Sequence, residues 1–404
     1  SGASPVAPGG PVASASPVRP PSGSLPPAAS TGPNSPPSAP PDDPGYDLRK
    51  FGFAAKGMSH EVMAFVTSSQ IGYALESLDL DVVSTIAFFS LEPGRDGGIK
   101  RGSLWRAWRS TAMTRLIEKA HAAGTKVVIS AARFSWSPSQ TATSRSILSN
   151  ASRRARLARE LADEVVARGV DGVNVDFEPI PRGERAHFTA FVRTLRAELD
   201  KRGPGYQLTF DVTGYHDSYD VAGLLAPGGA DAVFLMGYHY AGTFSKIARS
   251  NAPMGGARYD VVDTIKLLLR SAEPERLIVG FPYYGHVWPT KTGVRNAATT
   301  GGGFDIQYRK AAALARRLGS RMRYDPVEQV AWASYRDRPC ATCTTRWYQV
   351  YFDDVRAYRY KLDYVRKRGL LGTGIWTSAF EGSERGLTNT LRTVILGADG
   401  TDGD

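Results

Sequence analysis

The densest run of reactive side chains is Asp171-Gly172-Val173-Asn174-Val175-Asp176-Phe177-Glu178. Side chains alternate on a β-strand, so Gly172, Asn174, Asp176 and Glu178 share one face while Val173, Val175 and Phe177 share the other. The apolar set would pack against helices, and the polar set would point into an enclosed interior. Burying Asn, Asp and Glu in a row is costly unless they serve one another. Asp176 and Glu178 would stand about 6 Å apart along the strand, too close for both to ionise freely there. A carboxyl kept neutral by a charged neighbour is what general acid catalysis requires. The structural alternative is a buried polar network, but an alternating triplet at a strand end favours chemistry.

Such a strand needs a frame, and the rest of the chain supplies one. Short apolar runs recur at Val62–Val66, Val82–Leu91, Lys126–Ala132, Gly169–Phe177, Gln207–Thr213, Ala232–Tyr238, Leu277–Tyr283 and Gly372–Trp376. Each has the length and β-branched or aromatic content of a buried strand. Amphipathic helical stretches separate most of them, clearest at Ser103–Ala123 and Ala151–Arg168, with Gly124 and Gly169 as stop signals. Continuous apolar strands alternating with helices indicate a parallel sheet covered on both faces. Eight such units predict an α/β fold, a closed (β/α)8 barrel, with Glu178 at the C-terminal mouth where such barrels place their chemistry. Nearly sixty residues between Trp288 and Trp347 exceed one connection. They read as a small α+β insertion after the seventh strand, about 289–346, with a helix over Ile306–Leu318 and a strand over Gln329–Tyr335. The chain returns through Trp347–Phe352 to a last helix at Val355–Arg368.

Of the 26 prolines, 14 precede Gly45, among Ser, Ala and Gly. Residues 1–45 therefore read as a disordered linker, with a Pro-rich ligand for a partner domain as the functional alternative. Residues 46–396 form the barrel domain and 397–404 a flexible tail. No apolar run approaches the roughly 20 residues a bilayer span requires, and Ser1 opens directly into the Pro-rich stretch with no signal peptide visible. Cys340 and Cys343 are too few for a four-cysteine zinc site; a short disulfide in an oxidising compartment is preferred to a pair of free thiols. The formal charge of +11 is mostly dispersed arginine without interleaved aromatics, which argues against nucleic acid. If the charge has a partner, an anionic cell-wall polymer fits.

With these residues in place, the chain resembles glycoside hydrolase family 18, the chitinase family. Asp171–Glu178 resembles its D-G-x-x-x-D-x-E signature, and Met236-Gly237-Tyr238 its M-x-Y at the end of strand six. Gly280-Phe281-Pro282-Tyr283-Tyr284-Gly285 resembles its strand-seven segment. Gly374-Ile375-Trp376 resembles its strand-eight tryptophan, and Tyr351-Phe352-Asp353-Asp354 the run before the helix leading to that strand. The resemblance covers roughly residues 61–393. It implies substrate-assisted retention, an exception to the two-carboxylate scheme. Glu178 would protonate the glycosidic oxygen and then activate water, while the substrate's 2-acetamido carbonyl acts as nucleophile. Asp176 would orient that group, Tyr238 would donate to its oxygen, and Trp376 would lie beneath the sugar ring. Asn174 replaces an aspartate often found in the family, and His239 stands where Asp or Asn is commoner. Asn174, Met236 and His239 are expected among the substrate-binding residues, with His239 at the acetamido pocket.

Aromatics near strand ends supply candidate subsite walls: Phe89, Trp136, Tyr215, Tyr284 and Trp288, with core packing the alternative for each. His216, His239 and His286 also follow strand ends, but no HxH or HExxH spacing supports a metal, and neither metal nor cofactor is expected. The leading expectation is a monomeric retaining hydrolase of β-linked N-acetylglucosamine glycans, extracellular or envelope-associated. Its alternatives are a lectin-like barrel and a basic wall-bound scaffold. An intact Asp176, Glu178 and Tyr238 favour the hydrolase, because a lectin has no need of an acid.

Overall fold

The computed structural model describes residues 47–397 except Tyr215 and Pro339, so the expected linker and all but the first residue of the expected tail lie outside the described residues. Each of the eight apolar runs falls on a barrel strand: β1 (Glu61–Thr67), β2 (Thr85–Leu91), β3 (Lys126–Phe134), β4 (Gly172–Glu178), β5 (Gln207–Val212), β6 (Ala232–Met236), β7 (Leu277–Pro282) and, after the insertion, β13 (Gly372–Trp376). They close in the order β1-β13-β7-β6-β5-β4-β3-β2, all parallel, with Glu61 opposite Gly372 at the closing seam. The largest shifts are at two run starts. Leu80–Val82 forms a turn of 3-10 helix before β2, and Gly169 is a left-handed helix cap (φ 62°) three residues short of β4.

Strand parity works out as the side chains dictate. Phe177 faces outward onto Phe188 and Phe191 of the helix Arg185–Arg202, with ring centroids 5.8 and 5.6 Å away. Asn174 and Asp176 face the barrel interior and are buried. Gly172 has a steric reason: a Cβ there would fall 2.1 Å from the Gln207 carbonyl oxygen on β5. Asp171 is a structural tie at the opposite end of the barrel from the mouth. Its carboxylate accepts from the Val127 amide (2.8 Å) and from Lys126 (3.0 Å), and lies 2.8 Å from the His121 ring.

The predicted Ser103–Ala123 helix is two helices, Ser103–Trp108 and Thr111–Ala122, because Ser110 accepts from the Met113 amide and starts the second. The helix at Val355–Lys367 is not the last; a further helix, Gly386–Ile395, follows β13 and packs against the Val355–Lys367 helix.

The insertion is a five-stranded antiparallel sheet. Its strands are β8 (Tyr284–Thr290), β9 (Phe304–Gln307), β10 (Arg323–Asp325), β11 (Val330–Asp337) and β12 (Arg346–Phe352), in the order β10-β11-β12-β8-β9, with a helix at Tyr308–Leu318. Only Tyr283 separates β7 from β8, so the sheet takes in residues on both sides of the stretch 289–346. Cys340 and Cys343, between β11 and β12, are joined in a disulfide with Cα atoms 5.1 Å apart. No helix among the described residues is long and apolar enough to cross a membrane.

Candidate active site

Glu178 ends β4, with Phe134 of β3 beside it in register. The residue keeps some solvent access at the mouth, yet protein crowds its carboxyl. Desolvation, then the negative charges of Asp176 and Asp211, hold its pKa well above the usual carboxylate range. Asp176, one inward step down the strand, is pushed up to about 7 by burial. An acid that stays protonated beside a carboxyl able to ionise can give up a proton near neutral pH.

Asn174 sits below them, fully buried and bonded on both sides. Its amide donates to Asp211 (3.0 Å) and more weakly to Ser130 (3.4 Å), and its carbonyl accepts from Thr209 (2.7 Å). It thereby fastens β4 to β3 and β5 and makes no approach to the mouth.

The wall opposite is aromatic. Trp376, at the end of β13, lies at 29° to Tyr238 with centroids 6.3 Å apart, meets Phe89 edge-on at 4.8 Å and contacts Phe65 at 5.4 Å. Beneath it Phe234 packs on Phe65 at 5.0 Å. Two motif glycines make room for that ring. A Cβ at Gly280 would fall 2.3 Å from it, and one at Gly374 2.2 Å. Thus the glycines of the strand-seven and strand-eight segments hold up the tryptophan floor.

Tyr238 is buried two residues beyond Met236, itself buried at the end of β6. Burial first, then Tyr284 and the three carboxyls, raise its pKa far above the ordinary tyrosine value, so its hydroxyl remains a donor. Tyr284 is also buried, 6.4 Å from Tyr238 by ring centroids, and its hydroxyl has no partner. His239 follows in a left-handed conformation (φ 66°), its ring 5.3 Å from Tyr238 and 6.1 Å from Tyr284. Crowding by protein, then the nearby His286, push its pKa below the usual histidine value, so it is neutral at physiological pH.

The structure thus gathers Glu178, Asp176, Tyr238, Trp376, Tyr284, Met236, His239 and Phe89 around one mouth, with Asn174 beneath. Trp288 does not join them. It is fully buried in the insertion's own core with Ala248, Val330, Trp332 and Tyr351, and its indole N–H donates to the Gly242 carbonyl (3.2 Å). This corrects its assignment as a subsite wall: a tryptophan with no exposed face and a satisfied N–H has nothing to offer a sugar. His286 is also buried, its Nδ1 2.8 Å from Asp305 but not aligned as a hydrogen bond. Trp136 is half-buried just beyond β3. Tyr215 lies outside the described residues, as does the side chain of His216. Among the described residues no group of His, Cys, Asp and Glu is arranged to hold a metal.

Two residues escaped the sequence reading. Asp211 on β5 is the third carboxyl of the interior, raised by burial and by Asp176. Tyr219, in the loop after β5, is buried, donates to the Phe177 carbonyl (2.8 Å) and feels the charge of Glu178. The alternation Gln207-Thr209-Asp211 was a signal for the first; nothing local marked the second.

The sequence profile described as Glycosyl hydrolases family 18 matches residues 42–380. The chain belongs to glycosyl hydrolase family 18. A Bacillus subtilis protein named as a sporulation-specific glycosylase is 28% identical over 241 residues, covering 57% of this chain and 52% of its own length. Mouse di-N-acetylchitobiase is 26% identical over 246 residues, covering 56% and 65%. The matches thus span about half to two thirds of these relatives. Among solved structures, a family 18 chitinase from Cycas revoluta in complex with (GlcNAc)3 superposes with a TM-score of 0.72 at 18% identity, covering 83% of this chain and 99% of its own. A chitinase-like agglutinin from Robinia pseudoacacia superposes at 0.70 and 18%, covering 82% and 98%. At such identity the likeness carries the fold alone, and the fold serves both a chitinase and an agglutinin.

Proposed function

We propose that this family 18 protein is a retaining hydrolase of β-linked N-acetylglucosamine glycans. The observation that carries the reading is Glu178: an acid held protonated at the barrel mouth, with Asp176 one step inward and the Tyr238 hydroxyl across the cleft. In this reading Glu178 protonates the glycosidic oxygen as the C1–O bond breaks. The substrate's acetamido oxygen attacks C1 and closes an oxazolinium ring, with Asp176 orienting the acetamido N–H and Tyr238 donating to its oxygen. Glu178, now a carboxylate, takes a proton from water as that water opens the ring and restores the starting configuration. No second carboxylate is needed as nucleophile, which suits a cleft whose other acids, Asp176 and Asp211, are sunk below the mouth.

The names of two Bacillus subtilis relatives, a sporulation-specific glycosylase and a cortical fragment-lytic enzyme, favour an envelope glycan and a place outside the cytoplasm. The basic balance of the chain suits anionic wall polymer nearby. Mass spectrometry of products from chitin oligomers, peptidoglycan and N-glycoprotein tests the reading, with Glu178→Gln as control. Cleavage beside N-acetylglucosamine by the wild type alone is the expected outcome. Binding without cleavage by both proteins would make the barrel a lectin.

A further inference from the structure

Asp211 has no role in the chemistry above, yet its place is unusual. The β4–β5 register pairs Val175 with Phe210, which brings Asp211 level with Asp176 on the neighbouring strand. Both are 2% exposed. One oxygen of Asp211 accepts from Asn174 at 3.0 Å, and Asn174 is held in turn by Thr209 at 2.7 Å. The other oxygen of Asp211 and Oδ1 of Asp176 are both buried without any partner. Two acids side by side, each with an unsatisfied oxygen, cannot both carry charge in so dry a place. A single proton between them relieves the repulsion.

We propose that Asp211 is a positioning residue of the acid centre, sharing one proton with Asp176 so that the two together set the negative charge facing Glu178. Its catalytic meaning rests on the hydrolase reading; its electrostatic part does not. The groups facing Asp211 are Asn174, Asp176 and Glu178 of β4, Thr209 of its own strand, Tyr219 from the loop after β5 and Tyr238 beyond β6. Asn174 is neutral and cannot supply this charge, so the acid comes from the adjacent strand.

The sign follows. Once its shared proton is lost at higher pH, the pair carries one more negative charge than Asp176 alone could, and negative charge beside Glu178 favours its protonated form. Asp211→Asn keeps the size of the side chain and the acceptor for Asn174 but removes the carboxyl. The Glu178 titration should then move to lower pH by about half a unit or more, the scale expected for partial charge a few ångström away in a protein interior. Carbon-13 NMR titration of labelled glutamate carboxyls, with the Glu178 signal assigned through Glu178→Gln, reads this without any substrate. The basic limb of kcat/KM on chitin oligomers should move the same way. A Thr209→Val control loosens Asn174 but leaves the carboxyl, and should leave the titration in place. An unchanged Glu178 titration in folded Asp211→Asn overturns the proposal and reduces Asp211 to an acceptor for Asn174. A shifted titration in a protein whose wild type cleaves no glycan supports the electrostatic assignment while sinking the hydrolase reading.

Discussion

Tyr238 and Trp376 stack at 29° across the mouth, although their strands, β6 and β13, are not neighbours but flank β7. The contact spans β7 because Phe234 fills the space beneath, and Gly280 and Gly374 leave room for it. A hydrogen-bond donor and a flat apolar face are thereby held in one orientation by packing alone.

Tyr238→Phe separates these two jobs. The ring and its stacking remain while the donor disappears. On a chitin oligosaccharide kcat should fall about 100-fold, as for loss of one preorganised donor to a developing charge, with KM and melting temperature nearly unchanged. A rise in KM at constant kcat would show that the hydroxyl only binds.

The raised pKa of Asp176 has a signed consequence for stability. Its folded-state value, about 7, exceeds the ordinary aspartate value of 3.8, so the fold favours the protonated form. The stability this contributes is whole below pH 4 and is lost as pH rises through 7. Asp176→Asn cannot ionise, so its melting temperature should gain on that of the wild type from pH 4 to pH 8, while activity is lost. A constant difference across that range would contradict the assignment.

Two tryptophans near strand ends should behave differently. Trp288→Ala empties the insertion's core and should cost about 3–5 kcal/mol in a denaturant titration. Trp376→Ala should act mainly through KM, because part of its surface at the end of β13 is exposed. Matching unfolding losses for the two would refute the distinction.

Gly374→Ala tests the support under the floor. The new methyl would meet the Phe234 ring at 2.2 Å, and overpacking of this kind costs about 1–3 kcal/mol. Adding Phe234→Leu should recover much of that loss. An additive double mutant would mean that the two sites do not touch.

Much of this was legible in the chain itself. Period-two alternation in Asp171–Glu178 placed the polar trio inward, since a strand has only two faces and Val173, Val175 and Phe177 claim one. Eight apolar runs separated by amphipathic stretches specified the parallel barrel, since such strands must be covered on both sides. What sequence could not supply was which side chains from different strands meet. The alternation Gln207-Thr209-Asp211 gives the face of Asp211, but only the β4–β5 register brings it level with Asp176. Trp288 and Trp376 are both aromatics near strand ends, and only the family resemblance sets Trp376 apart. Their environments differ because β8 leaves the barrel for a second sheet with its own core, whereas β13 closes the first. Local pattern fixes the face on which a side chain lies; register and the choice of sheet decide what that face meets.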